Sequence, residues 1–122
     1  MCEKYTYDEM IDEITKTEQR YNEILISTTS LICTTNGEIF RKMKSGTWKK
    51  VKNCINHNCG YNVILINKKQ YTRAKLILYS QGGIQLDQRN VNIFHKNQDR
   101  LDCHYANLTC SAKEQVKLKM LN

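Results

Sequence analysis

Residues 94–108 read FHKNQDRLDCHYANL, a polar stretch that directly follows the apolar alternation of NVNIFH at residues 90–95. The alternation predicts a strand that ends at His95. After the polar loop, Ser111 and Glu114 form a capping-box pattern and predict a closing helix. A strand, a polar loop and a helix in this order bring side chains from all three around one point. We therefore expect a single site that contains His95 and Asn107.

Upstream of this stretch, short apolar segments separated by turn residues predict the other secondary-structure elements. YNVILI at 61–66 and QYT at 70–72 flank NKK and predict a hairpin. RAKLILYS at 73–80 predicts a short helix that ends at Gly82 and Gly83. Further upstream LICTT, EIFRKM and TWKKVK are separated by NG at 36–37 and SG at 45–46, which predicts a small antiparallel meander. The sequence therefore predicts an α+β domain with small antiparallel hairpins.

An acidic amphipathic helix is predicted at the N-terminus. Thr6 and Glu9 form a capping box, and apolar residues recur at helical spacing from residue 7 to about residue 25. The sequence thus divides into an N-terminal helix segment, 1–27, and a second domain, 28–122. The acidic face of the helix would pair with the basic remainder of the chain, bind a protein partner, or only aid solubility.

Length and composition favour an intracellular protein. The 122 residues are enough for one domain with a core, and no apolar run approaches the roughly 18 residues that span a bilayer. The N-terminus does not have the pattern of a secretory leader. We expect no membrane association and no secretion. The six cysteines are then expected to stay reduced, in a reducing compartment, or to bind metal.

The charge is unevenly distributed along the chain. Residues 1–25 contain three Lys or Arg against seven Asp or Glu, and the remaining 97 contain sixteen against five. A basic body suits a partner with phosphates, because each neutralised phosphate releases counterions. A solvated lysine surface is the alternative. The densest basic segment holds six cations, interrupted by Trp48, that would bind phosphates from one face of a hairpin: Arg41, Lys42, Lys44, Lys49, Lys50 and Lys52. Trp48 is expected in the core rather than stacked on a base.

From about residue 31 to residue 115 the chain resembles the HNH homing endonucleases of phages and large DNA viruses. The resemblance is carried in order by NGEIF, WKKVK, CGYNVILINKKQY, RAKLILYS and NIFHKNQDRLDCHYANLTCSAKEQ. It implies a ββα-metal fold, to which the predicted N-terminal helix would be an addition, and DNA rather than RNA as the nucleic-acid partner. The implied activity is hydrolysis of phosphodiester bonds.

The resemblance also implies roles for two residues. His95 would act as the general base that takes a proton from water, and Asn107 would fix the orientation of its imidazole. Mg²⁺ or another divalent cation would hold the scissile phosphate and stabilise the leaving oxygen. In the family the cation is bound by an Asp or His directly before the base and by a His or Asn on the closing helix.

This sequence departs from the family at both metal positions. Phe94 precedes the base and cannot bind a cation, and Val116 occupies the helix position. Asp99, Asp102 and Gln115 are the substitutes that the chain offers, although a neutral amide is a weak ligand for a hard cation. Two functions therefore stay open: a metal-dependent endonuclease, and a catalytically degenerate HNH-like protein that binds nucleic acid or serves in a structural assembly.

Cysteines and histidines form a second constellation. Two sets of three such residues, one within 54–59 and one within 103–110, could together bind Zn²⁺. Their spacing is irregular, however, and cysteines that stay reduced and partly buried are the more common case. The six residues are Cys54, His57, Cys59, Cys103, His104 and Cys110.

Overall fold

The structure is a computed structural model, and it describes residues 4–86 and 91–112. Within these ranges the fold is α+β, with two α-helices and nine strands in three antiparallel sheets. The elements are β1 (Lys4–Tyr5), α1 (Tyr7–Lys16), β2 (Tyr21–Ile26), β3 (Thr29–Thr34), β4 (Ile39–Lys42), β5 (Trp48–Lys50), β6 (Val63–Ile66), β7 (Lys69–Thr72), α2 (Arg73–Ser80), β8 (Val91–His95) and β9 (Leu108–Ala112).

The largest sheet has the strand order β1-β5-β4-β3-β2, so the predicted meander of β3, β4 and β5 is confirmed. Helix α1 begins at the predicted capping box, in which the Thr6 side chain accepts from the Glu9 backbone N–H. Its buried residues Met10 and Ile14 pack against one face of this sheet, in a cluster that also contains Ile32, Phe40 and Trp48. The prediction that Trp48 lies in the core is therefore confirmed, since it is 3% exposed.

Helix α2 covers the opposite face of the sheet. Leu76 and Ile77 are fully buried there, in a cluster with Leu31 and Ile39 of the sheet. The β6–β7 hairpin contributes Ile64 and Ile66 to the same cluster. Both the hairpin and the helix were predicted with these approximate bounds. Alternate side chains of β3 and β4 thus pack in two separate hydrophobic cores, one under each helix.

The predicted length of the first helix is wrong. The helix ends at Lys16, Thr17 caps it, and Glu18 has a φ of +54°. Residues Tyr21–Ile26 form β2 and pair with β3 in register from Tyr21 opposite Thr34 to Ile26 opposite Thr29. The physical reason is that the ILI run at 24–26 matches a helical period by position but consists of aliphatic, mostly β-branched residues, which pairing with β3 stabilises as a strand.

Strand β8 is the strand predicted before the polar loop, whereas β9, which follows the loop, was not predicted. The start of the predicted closing helix is wrong, because Ser111 and Ala112 pair with Asn92 and Val91 as the end of β9. The rest of that helix, with Gln115 and Val116, lies outside the described residues. Neither described helix is long and apolar enough to cross a bilayer.

Candidate functional site

The β8–β9 hairpin places His95 at the edge of a closed loop. His95 is the last residue of β8 and lies opposite Leu108 of β9. The Lys96 N–H donates to the Asn107 carbonyl at 2.8 Å, and the Gln98 N–H donates to the His95 carbonyl at 2.9 Å. The two residues that the sequence singled out, His95 and Asn107, are therefore brought together at the mouth of the hairpin.

Asn107 holds the loop through its side-chain amide. Its Oδ1 accepts from the Asn97 backbone N–H at 3.1 Å, and its Nδ2 donates to Asn97 Oδ1 at 3.0 Å and to the Asp102 carbonyl at 2.8 Å. These bonds fix the backbone that carries His95. The imidazole has other neighbours: its Nε2 lies 4.0 Å from Cys103 Sγ, and its ring centroid lies 6.2 Å from that of Tyr61.

The surroundings of His95 favour its neutral form. Burial lowers the pKa of the imidazole below its ordinary value, while the charges of Asp102 and Asp99 act to raise it and that of Arg100 acts to lower it. A neutral imidazole near pH 7 has a free lone pair on one nitrogen. His95 is thus in the protonation state that a general base requires.

The imidazole opens into a small pocket with a volume of about 370 Å³. Arg100 contributes a positive charge to the lining of this pocket. Its guanidinium carbon lies 4.9 Å from the centroid of the Tyr61 ring, and its Nη1 donates to the Cys59 carbonyl. Sequence reasoning missed Arg100 and Tyr61, since they come from separate loops and no local motif joins them. The lining residues are Tyr61, Ile93, Phe94, His95, Gln98 and Arg100.

The two loop carboxylates are engaged within the loop. Asp102 Oδ1 lies 2.8 Å from His104 Nδ1, and its Oδ2 accepts from Asn97 Nδ2 at 2.7 Å. Burial acts to raise the pKa of the Asp102 carboxyl, but these hydrogen bonds from His104 and Asn97 outweigh it and lower the pKa. Asp99 Oδ1 accepts from the Leu101 backbone N–H at 3.0 Å.

The described residues therefore do not fit a divalent cation beside His95. Asp99 and Asp102 bond within the loop and do not line the pocket, and Phe94, directly before His95, is 52% exposed. Among residues 4–86 and 91–112, no three His, Cys, Asp or Glu side chains are grouped so that they could hold a metal ion. Gln115, the third candidate ligand, lies outside these ranges.

The six residues considered for Zn²⁺ likewise do not converge in the described part of the chain. Cys103 is buried beside His95, and burial raises the pKa of its thiol to about 11. His104 pairs with Asp102, and His57 Nδ1 accepts from the Cys59 backbone N–H at 3.2 Å. Cys54, Cys59, Cys103 and Cys110 are all free thiols.

Four of the six cations of the basic segment lie on strands and are divided between the two faces of the sheet, whereas Lys44 lies in the turn between β4 and β5 and Lys52 follows β5. Arg41 lies opposite Lys49, and Lys49 lies opposite Lys4 of β1, so these three share the face covered by α2. Lys42 lies opposite Trp48, on the face covered by α1. Lys50 is on that same face and makes ion pairs with Glu13 at 3.8 Å and with Glu38 at 3.6 Å.

A broad groove with a volume of about 900 Å³ separates β4 and β5 from the β6 strand. Four cations of the basic segment line it: Arg41, Lys49, Lys50 and Lys52. Arg41 Nη1 donates to the Leu65 carbonyl at 2.8 Å and thereby links the two walls. Side-chain amides continue the lining along the next loop, at Asn53, Asn56 and Asn62. We call this feature the cationic groove.

Arg73, which sequence reasoning also missed, connects the groove to the site loop. It is 2% exposed, and its guanidinium donates to the Gly37 carbonyl at 2.8 Å, the Val51 carbonyl at 2.7 Å and Asn62 Oδ1 at 2.9 Å. The turn that contains Gly37 in turn contacts the site loop, since the Tyr105 N–H donates to the Thr35 carbonyl at 2.8 Å. No sequence pattern distinguishes this arginine from a surface cation at the start of a helix.

Comparison with models of protein families gives no match, and comparison with curated protein sequences gives none. A solved structure described as "DNA binding and cleavage by the HNH homing endonuclease I-HmuI" is similar to this chain, with 19% sequence identity and a TM-score of 0.49. The similarity covers 75% of this chain and 52% of that chain, so the present chain spans about half of its length.

Proposed function

We propose that this protein binds nucleic acid, with DNA as the first candidate, and hydrolyses a phosphodiester bond at His95 in the manner of an HNH-like endonuclease. The observation that carries the proposal is the position of His95, a neutral imidazole at the end of β8 that opens into a pocket containing Arg100. Base and cation together suit an anionic substrate whose hydrolysis begins with proton removal from water.

The cationic groove supports the binding half of this proposal. Its described lining includes five cations and one acid, Glu38, which is paired with Lys50. Cations and side-chain amides are the usual donors to phosphate oxygens, and such contacts position a nucleic acid without reading its sequence. Binding is therefore expected to depend on salt and only weakly on sequence.

The hydrolytic step needs few groups. His95 accepts a proton from a water molecule, and the water oxygen forms a bond to phosphorus. The phosphorus–oxygen bond to one nucleoside then breaks, and that oxygen takes a proton from solvent. Asn107 acts as a positioning residue, because its bonds to Asn97 and Asp102 fix the loop. The resemblance implies Mg²⁺ or another divalent cation, but the described carboxylates do not fit one, and no step here passes through it.

Nicking of supercoiled plasmid tests the activity. The purified protein is compared with His95→Ala, and with Asn92→Ala as a control on the exposed, opposite side of the same strand. Each is assayed with Mg²⁺, with Mn²⁺ and with a chelator. Nicking that His95→Ala abolishes and Asn92→Ala retains supports hydrolysis at His95, and the chelator shows whether a metal takes part. Equal background from all three proteins would rule the hydrolytic half out.

A second candidate is a nucleic-acid-binding or structural protein without cleavage. The observation that favours it is Phe94, which lines the pocket and is 52% exposed where the HNH resemblance places a metal ligand. In that case His95→Ala would bind duplex DNA as tightly as the unmodified chain and neither would nick it. Binding would still weaken steeply with salt. Salt-independent binding, or none, would leave only a structural role.

A further inference from the structure

Among the residues that the structure describes, the lining of the pocket beside His95 includes a cation and no carboxylate. Its six lining residues supply a guanidinium from Arg100, an imidazole from His95 and an amide from Gln98. The remaining three, Tyr61, Ile93 and Phe94, supply aromatic and apolar surface. This composition suits an anion and disfavours a divalent cation, and the volume of about 370 Å³ leaves ample room for a phosphate group.

Arg100 is held in place by the protein itself. Its guanidinium stacks on the Tyr61 ring at 4.9 Å, and Nη1 donates to the Cys59 carbonyl. The chain passes close to it at Gly60, where an added Cβ would stand 3.5 Å from Nη1. A guanidinium has five N–H donors in a fixed planar array, so one bond to Cys59 leaves others to meet the oxygens of an anion.

Among the described residues, neither nearby acid makes an ion pair with Arg100, although the charges of both reach His95. Asp102 has both oxygens engaged with His104 and Asn97, and Asp99 accepts from the Leu101 backbone within the loop. Both carboxylates stabilise the turn that follows His95, and neither lines the pocket. Asp99 and Asp102 thus stabilise the loop, and Arg100 lies in the same pocket as His95.

We propose that this pocket is a phosphate-binding subsite, in which Arg100 binds one phosphate group of a nucleic acid and holds it beside His95. Arg100 then provides the positive charge that a carboxylate-bound metal ion would provide in an acidic site. The identity of the phosphate as part of a nucleic acid rests on the proposed function. The subsite itself rests on the residues of the pocket.

The test observes the histidine ring signals of the full chain by NMR at fixed pH and constant ionic strength. Inorganic phosphate is titrated against chloride, and a short single-stranded oligothymidylate is titrated separately. We expect a saturable shift of the His95 ring signals with both probes. A shift with inorganic phosphate alone would overturn the assignment to nucleic acid, and no saturable shift with either would overturn the subsite.

Variants identify the cation responsible. Arg100→Gln should weaken phosphate binding by about tenfold or more, as expected for loss of a charge-assisted bond. Lys16→Gln removes an exposed charge at the end of α1 and should bind as the unmodified chain does. Equal weakening by both variants would mean that net charge, and not Arg100, governs binding, and would overturn the proposal.

Because Arg100 also packs on Tyr61, a second variant keeps the test independent of folding. Gln98→Glu places a carboxylate in the pocket without changing the stack of Arg100 on Tyr61, and it should weaken phosphate binding as well.

A titration of the unmodified chain with Mn²⁺ tests whether the pocket binds a metal ion instead. Strong paramagnetic broadening of His95 at low Mn²⁺ would make the pocket a metal site and overturn the proposal. Plasmid binding and nicking are separate readouts, so the proposed function and the subsite can fail independently.

Discussion

The backbone of Gly37 lies directly against the backbone of Cys103. A Cβ built on Gly37 would stand 2.7 Å from both the carbonyl carbon and the carbonyl oxygen of Cys103, closer than real Cβ atoms approach. Gly37 also has a φ of +84°. The turn between β3 and β4 therefore meets the loop of the candidate site at a point where no side chain fits.

Gly37→Ala should destabilise the fold and displace this loop. The positive φ alone costs about 1–2 kcal/mol for an L residue, and the clash with Cys103 adds to it. Gly46→Ala is the matched control, because Gly46 has a φ of +89° but nothing within 4 Å of its added Cβ. Urea unfolding should show a larger loss for Gly37→Ala. Equal losses in the two variants would argue against a tight contact with Cys103.

Arg73→Met should be more damaging than its position at the start of a helix suggests. The change leaves the carbonyls of Gly37 and Val51 and the Asn62 side chain without their donor. Because each buried acceptor left unsatisfied costs about 1–3 kcal/mol, we expect a loss of at least about 3 kcal/mol in the free energy of unfolding. Lys75→Met, on the same helix and partly exposed, should change it little. A similar small effect from both changes would contradict the role given to Arg73.

Local patterns predicted much of the fold. The β6–β7 hairpin, α2 and β8 are short apolar segments with turn residues at their ends, so the neighbouring residues were enough to predict them. The first helix was predicted too long because the apolar positions from Tyr21 to Ile26 match a helical spacing equally well. Only pairing with β3, a contact made after the chain turns at Ser27, selects the strand.

The sequence predicted the residues of the candidate site that lie close together in the chain and missed those that come from distant segments. His95 and Asn107 lie on one hairpin, and their proximity follows from the strand and the loop. Arg100 meets Tyr61 and Cys59 across a separation of about forty residues, which no motif encodes. The division of the basic segment between two faces depends on sheet register, which the sequence did not specify.

The depressed pKa of His95 gives a pH dependence with a definite sign. Burial lowers the folded-state pKa below its ordinary value of 6.5, so the half-protonation point of His95 lies below pH 6.5. Cleavage that depends on neutral His95 should therefore decline as pH falls and reach half of its plateau value only below pH 6.5. Activity that halves at or above pH 6.5 would contradict a depressed pKa.

The same shift affects stability. The unfolded chain binds a proton at His95 near pH 6.5, while the folded chain resists it until lower pH. The contribution is thus fully present above the unfolded pKa and is lost as pH falls through the folded pKa. Urea unfolding of the unmodified chain and of His95→Gln, compared between pH 8 and pH 5, should show a shallower decline in the variant. Parallel declines would assign the pH dependence to other groups.

The register of the basic hairpin predicts which lysines contact phosphate. Lys49 and Lys52 line the cationic groove, whereas Lys42 lies opposite Trp48 on the other face. Each phosphate contact contributes about 0.9 to the slope of log K against log salt on duplex DNA. Lys49→Gln with Lys52→Gln should therefore reduce that slope by nearly two, and Lys42→Gln should leave it unchanged. If all three lysines lowered the slope equally, charge density rather than the groove would determine binding, and the nucleic acid would not follow this face of the sheet.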